Sequence, residues 1–279
     1  AQLRAQVYEM GGLQPLVALL ESEPETAYHA VQTVAQFAAD ERYRTVLAGC
    51  SGLHALTPLL GSHLPLVQQC ALSAIANLSF VASAAAALGS SGVLAHLGQL
   101  LYNADEAQAK ILLTALGNLL QGAPSSSEAL LGVGGHLALL TQLSSPSAEL
   151  QAQAAMALGH MARFAPAVPA LLQADTISLL CTLLHSHHPA AQLQAVYAIG
   201  ALSAEDEAAA SAVMLAGAVS PLTTLLLSSA AVDVKQHLSL TLAHVVRGQW
   251  RAVFNVGGFQ ALLEVLGVGA EHVQQDIIQ

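Results

Sequence analysis

The sequence predicts an all-α chain of stacked three-helix units, a solenoid of repeats. Three observations predict it. Two separate sets of related strings recur with a period of about 40 residues, the range of helical repeat proteins. Hydrophobic residues make up 54% of the 279 residues, but aromatic ones only 4% and charged ones 9%, against about 25% charged in an ordinary domain. A core of Ala, Leu and Val suits closely packed helices. Twenty-one glycines and ten prolines separate the apolar stretches and punctuate short helices.

The first set begins with Gly11-Gly12-Leu13-Gln14-Pro15-Leu16-Val17-Ala18-Leu19-Leu20. Related strings start at Ser51-Gly52-Leu53, Ser91-Gly92-Val93, Gly134-Gly135-His136, Ala174-Asp175-Thr176, Gly217-Ala218-Val219 and Gly257-Gly258-Phe259. Asp175 stands where the other copies carry glycine or its neighbour. Aligned at positions 12, 52, 92, 135, 175, 218 and 258, the steps are 40, 40, 43, 40, 43 and 40. The second set closes each Ala/Leu-rich helix: Thr33-Val34-Ala35-Gln36, Ala74-Ile75-Ala76-Asn77, Ala115-Leu116-Gly117-Asn118, Ala157-Leu158-Gly159-His160, Ala198-Ile199-Gly200-Ala201 and Thr241-Leu242-Ala243-His244. Its last residues are 41, 41, 42, 41 and 43 apart.

Each unit reads as three helices. The first is short, as in 39–48 or 205–216, and the acids Asp40-Glu41 and Glu205-Asp206-Glu207 open it in accord with the helix dipole. A glycine turn follows, where a left-handed residue is wanted. The second helix carries a PLVxLL-like stripe. The third follows Pro24, Pro65, Asp105-Glu106, Pro146 or Pro189, because proline fits the first turn of a helix. A small residue before the last position of the second set, as in Gly159 and Gly200, permits close helix contact.

These strings resemble the armadillo repeat family, with its GG-hydrophobic-x-x-LVxLL second helix and its AL-x-NL third helix, here Ala115-Leu116-Gly117-Asn118-Leu119-Leu120. The resemblance covers residues 1–279 as one repeat domain, with units at approximately 1–38, 39–80, 81–121, 122–163, 164–203, 204–247 and a truncated 248–279. It implies an armadillo-type α–α superhelix, a right-handed solenoid of three-helix repeats. Third helices would line a concave groove for extended peptides or partner proteins.

The resemblance also assigns groove positions. Importin-like members place Trp and Asn four residues apart on the third helix, the Asn holding the bound peptide's backbone. The corresponding row here is Gln32, Gln36, Ser73, Asn77, Thr114, Asn118, Met156, His160, Tyr197, Leu240 and His244. Asn occurs twice and Trp never; the single tryptophan, Trp250, falls in the last first helix. Catenin-like grooves are lined with Lys and Arg, whereas only Lys110 and Lys235 lie on third helices here. The row holds no acid and no permanent base, so affinity must come from apolar burial and neutral hydrogen bonds. A mixed polar and apolar partner segment is expected.

Other function classes find little support. Net charge is −10 and the eight basic residues are scattered, so no stripe faces a phosphate backbone. No nucleic-acid partner is expected. Residues 45–104 carry no Asp, Glu, Lys or Arg despite a mean hydropathy of +0.56 for the chain. Yet Pro58, His63, Pro65, Gln68, Asn77 and Ser90 interrupt the run, so no transmembrane span is expected. Stacking against neighbouring units explains a neutral stretch of this kind. Cys50, Cys70 and Cys181 lack CxxC spacing, which favours an intracellular, reducing compartment. His185-Ser186-His187-His188 has no adjacent carboxylate or Cys and reads as a turn, not a metal site. Gly132-Val133-Gly134-Gly135 follows a helix rather than a strand, so it is a repeat turn and not a phosphate loop. Ser125-Ser126-Ser127 reads as a helix cap. No catalytic motif is present, and no cofactor or small-molecule substrate is expected.

The expected function is therefore a non-enzymatic, cytoplasmic scaffold or adaptor that binds protein partners along its groove. The alternative is a structural part of a cytoskeletal assembly such as a ciliary or flagellar axoneme. Some axonemal armadillo proteins have third helices ending like Ala157-Leu158-Gly159-His160-Met161-Ala162. A transport adaptor comes third.

Overall fold

The computed structural model describes residues 2–228 and 232–246. The seventh unit, with Trp250, the string from Gly257 and the helix expected over 271–279, lies outside the described residues. Eighteen α-helices and four short 3-10 helices account for the described chain, with no strand among the described residues. The chain packs as two compact units, Ala1–Gly135 and His136–Gln279.

The first unit holds three complete triplets. They are α1 (Gln2–Glu9), α2 (Leu13–Ala18) and α3 (Pro24–Ala38); then α4 (Glu41–Ala48), α5 (Leu56–Leu59) and α6 (Pro65–Leu78); then α7 (Ala82–Gly89), α8 (Val93–Leu101) and α9 (Glu106–Gly122). A fourth triplet opens with α10 (Ser127–Gly132). The third helices pack in sequence, α3 on α6 and α6 on α9. Their apolar faces are fully enclosed: Val31 and Val34 on α3, Ala71 and Ile75 on α6, Leu112 and Leu116 on α9 have no solvent exposure.

The second unit contains α11 (Gly135–Leu143), α12 (Ala148–Ala162), α13 (Val168–Gln173), α14 (Thr176–Leu183), α15 (Pro189–Glu205), α16 (Glu207–Leu215), α17 (Val219–Ser228) and α18 (Val232–Val246). Its third helices are α12, α15 and α18, packed in that order. The contact is close because glycine removes a side chain at the crossing. A Cβ on Gly159 would lie 2.6 Å from the Tyr197 ring, and one on Gly200 would lie 2.6 Å from Thr241 Oγ1. Those are the small positions expected from the sequence.

The turn between first and second helices is the most regular feature. One residue in each takes a positive φ: Gly11 (69°), Gly52 (94°), Gly92 (78°), Gly134 (70°), Asp175 (58°) and Gly217 (78°). A left-handed residue there lets the chain reverse, and aspartate tolerates that conformation better than most side chains. The turn bends α7 against α8 by 86° and α16 against α17 by 83°. These positions are 41, 40, 42, 41 and 42 apart, more even than the string alignment. The alignment ran one residue late in three units, because Gly11, Gly134 and Gly217 make the turn, not Gly12, Gly135 and Ala218.

In the first unit, hydrogen bonds tie each second helix to the next turn. Gln14 Nε2 donates to Ser51 Oγ at 2.9 Å and the Ser51 amide returns a bond to Gln14 Oε1 at 3.0 Å. The Ser91 hydroxyl donates to Leu88 O, which leaves the Thr57 hydroxyl as donor to Ser91 Oγ at 2.8 Å. The Tyr102 hydroxyl donates to Gly134 O at 2.7 Å. A second device recurs inside repeats. Gln68, Gln151 and Gln192 sit at the fourth position of α6, α12 and α15 and reach back to Leu60 O, Ser145 O and Leu184 O. Each satisfies a carbonyl freed near the end of the preceding helix.

Several helix starts differ from expectation in detail. Asp40 and Asp206 are N-caps, accepting from Arg42 N and from Ala208 and Ala209 N. Consequently α4 begins at 41 and α16 at 207, two residues later than read. Arg42 also binds the Asp40 carboxylate and holds its pKa down at about 2. Pro146 precedes α12 by two residues, with Ser147 as N-cap. The serine run does not cap through its side chains: Pro124–Ser126 forms a 3-10 turn and Ser126 makes no side-chain cap bond to α10. The proline tightens the chain before the serines can adopt an extended cap.

Candidate binding groove

In the first unit, α3, α6 and α9 enclose a groove of about 720 Å³. Its course is oblique. It touches Gln32, Ala35, Gln36 and Ala39 in the later half of α3 and just beyond its end. It then crosses Gln69, Cys70 and Ser73 in the first two-thirds of α6 and ends at Asp105, Gln108 and Ile111 at the start of α9. Small and apolar residues form the floor, and Ile111 remains 41% exposed. The carboxamides of Gln32, Gln36, Gln69 and Gln108 have no intramolecular hydrogen-bond partner among the described residues. Gln68 also borders the groove, but its amide is committed to Leu60 O. Each free carboxamide offers two donors and an acceptor.

Of the row assigned by resemblance, Gln32, Gln36 and Ser73 line this groove. Asn77, Thr114 and Asn118 do not. Asn77 Nδ2 donates to Ser73 O at 2.8 Å, and the Thr114 hydroxyl donates to Lys110 O at 2.8 Å. Asn118 Nδ2 donates to Ser79 Oγ, which donates in turn to Ala76 O. That relay braces α9 against the end of α6. Sequence reasoning missed Gln69 and Gln108 as groove residues. The signal was a glutamine early in the third helix, but its use depends on the oblique course across neighbouring helices.

In the second unit, Met156 and Tyr197 are half-buried on α12 and α15, and Leu240 and His244 are half-buried on α18. His160 differs. It is only 7% exposed, and its ring lies 5.4 Å from that of Tyr197 in an edge-on arrangement. The Tyr197 hydroxyl hydrogen-bonds to His160 Nδ1 at 3.1 Å. Burial, and secondarily Arg163, pushes the His160 pKa below its usual value. The row is therefore a packed pair here, with Tyr197 covering His160. A separate apolar cleft of about 340 Å³ lies between α15, α17 and α18, lined by Pro189, Leu193, Val196, Leu225, Val234 and Leu238.

His185 to His188 occupy the turn from α14 to α15, where His185 Nδ1 contacts Cys181 O and His188 is the N-cap residue. No group of three or more His, Cys, Asp or Glu is arranged for a metal among the described residues. Cys50, Cys70 and Cys181 are free thiols, each pushed up in pKa by burial, Cys181 to about 11. No single helix among the described residues is long and apolar enough to cross a membrane.

Comparison with known structures defines the class. An engineered protein of the Northeast Structural Genomics Consortium superimposes with a TM-score of 0.81 at 28% identity, covering 98% of this chain and 68% of that one. A second engineered protein from the same consortium gives 0.72 at 28% identity, over 85% and 97% of the two chains. Computationally designed armadillo repeat proteins for modular peptide recognition give 0.69 at 25% identity, over 83% and 99%. A designed armadillo repeat protein in complex with the peptide (KR)4 shares the fold, with a TM-score of 0.71 at 24% identity over 82% and 97%. No family model matches the sequence, and no curated protein does. The chain is an armadillo-like repeat protein, with a turn, a second helix and a third helix repeating as that architecture requires.

Proposed function

We propose that the chain is a non-enzymatic scaffold that binds an extended segment of a partner protein along its third helices. The observation that carries this reading is the groove across α3, α6 and α9, with four unpartnered carboxamides over a floor of small and apolar side chains. Carboxamides pair with a peptide main chain whatever its side chains, and the apolar floor accepts small anchors. The similarity to proteins designed for modular peptide recognition supports the same reading. The partner segment is mixed polar and apolar in its middle. An intracellular, cytoplasmic setting belongs to the proposal on cysteine usage alone. Photo-crosslinking amino acids at Gln36 and Gln69 test it against one at Ala87, an exposed position on α7. Partner adducts concentrated at the two groove positions support the reading; equal or greater yield at Ala87 overturns it.

A further inference from the structure

The two ends of the groove carry opposite charge. At the α3 end, Arg4 Nη1 donates to Gln36 O at 3.2 Å, and Arg44 donates to Ala38 O and Ala39 O. Gln36 and Ala39 are themselves groove residues. Both guanidiniums therefore sit beside the groove while bonded to neutral carbonyls. Arg42 is paired with Asp40 at 2.7 Å. Even with Glu41 counted, positive charge is in excess there. Arg44 is further held over the face of Phe80, 5.7 Å from the ring centroid, and Phe80 is 59% exposed. At the α9 end, Asp105 lines the groove. Its Oδ1 accepts from Gln108 N, and Oδ2 has no partner among the described residues. Glu106 beside it is paired with Lys110 at 3.7 Å, so negative charge is in excess. Between the ends the lining is neutral.

We infer that the groove takes a neutral extended segment bracketed by an acidic residue at the α3 end and a basic residue at the α9 end. This rests on the groove reading above and specifies its ligand. Packed helices are about 8–10 Å apart, so crossing from α3 to α9 covers about 16–20 Å. An extended chain rises about 3.3 Å per residue, which makes the neutral stretch about five or six residues. Like charges at both ends of a ligand meet repulsion at one of them. A uniformly basic or acidic segment is therefore disfavoured, and the bracketing charges fix the direction in which the chain lies.

The test is selection from a phage-displayed library of random eight-residue peptides on the whole protein. The Gln36→Ala, Gln69→Ala, Gln108→Ala triple variant serves for counter-selection. These side chains are not in the core, and alanine favours a helix, so the variant folds; circular dichroism checks it. Blocking of Cys70, which lines the groove, from maleimide labelling reports occupancy directly. The expected peptides depend on the glutamines, protect Cys70, and carry an acid at one end and a base at the other. Asp105→Asn, which keeps the cap, removes the preference for the base. Arg44→Gln, or Arg4→Gln should the first disturb α4, removes that for the acid. Each weakens a selected peptide about two- to fivefold, the scale of exposed ion pairs. Glutamine-dependent peptides with no end charges, or with one sign at both ends, overturn the bracketing and leave the groove reading standing. Absence of any glutamine-dependent peptide overturns both.

Discussion

The Tyr197 ring lies directly over Gly159, one residue before the histidine that its hydroxyl engages. A single aromatic residue on α15 thus seals the crossing with α12 and satisfies a buried imidazole. The glycine is required for the first role. Its missing Cβ would stand 2.6–2.7 Å from two ring carbons and 3.2 Å from Ala198 Cα.

Gly159→Ala is therefore expected to destabilise the protein. Overpacking costs about 1–3 kcal/mol, while alanine in a helix returns about 1 kcal/mol. A net loss of about 1 kcal/mol should appear as a lower Tm. In a Tyr197→Ala background the same change should become neutral or stabilising. If it destabilises equally in both, the ring is not what the glycine accommodates.

His160 gives a pH dependence with a definite sign. Its pKa is lowered in the folded protein, so the unfolded chain takes up the proton first as pH falls. The contribution of the neutral pair is complete above about pH 6.5 and is lost as pH drops below that value. Thermal melts between pH 7.5 and 5 should show a declining Tm, with a shallower decline in His160→Gln. His136, whose pKa burial also lowers, contributes the remainder with the same sign. An unchanged slope in His160→Gln would falsify the assignment.

Asp175 holds φ at +58° where five other turns use glycine. Asp175→Gly should be neutral within about 0.5 kcal/mol, relief of strain offsetting the greater freedom of the unfolded chain. Asp175→Ala should cost about 1 kcal/mol, since alanine has no short polar group to ease the left-handed turn. Equal melting temperatures for the two variants would show that the turn relaxes to another conformation.

Asn118→Ala breaks the relay from α9 through Ser79 to Ala76 and should cost about 1 kcal/mol. Its effect on partner affinity should be small beside that of Gln69→Ala. A loss of affinity with an unchanged Tm would return Asn118 to the binding surface.

The repeats were legible because period and punctuation are local properties. A glycine that must turn left-handed and a proline that opens a helix announce themselves within a few residues, as Gly52 and Pro65 do. The acid-marked helix starts near Asp40 and Asp206 were legible for the same reason, to within two residues. What could not be read is set between helices. Nothing in the neighbourhood of Asn118 shows that Ser79, 39 residues away, will absorb its amide. Likewise the burial of His160 depends on a tyrosine in the next repeat. The groove's oblique path, which exchanges Asn77 for Gln69, follows from how each third helix is offset against the last. The serines at 125–127 misled because an N-cap pattern was judged without the proline before it.

The bonds that join the three second helices of the first unit to the following turns bear on how such a chain could be cut and recombined. Gln14 with Ser51, Thr57 with Ser91, and Tyr102 with Gly134 use three different donor and acceptor pairs for one task. Shuffling whole helix triplets would separate every pair and leave mismatched partners at the seams. Segments that run from one left-handed residue to the next, 12–52, 53–92 and 93–134, keep each pair on a single piece. The natural module for exchange in this protein thus begins in the middle of a repeat as usually counted.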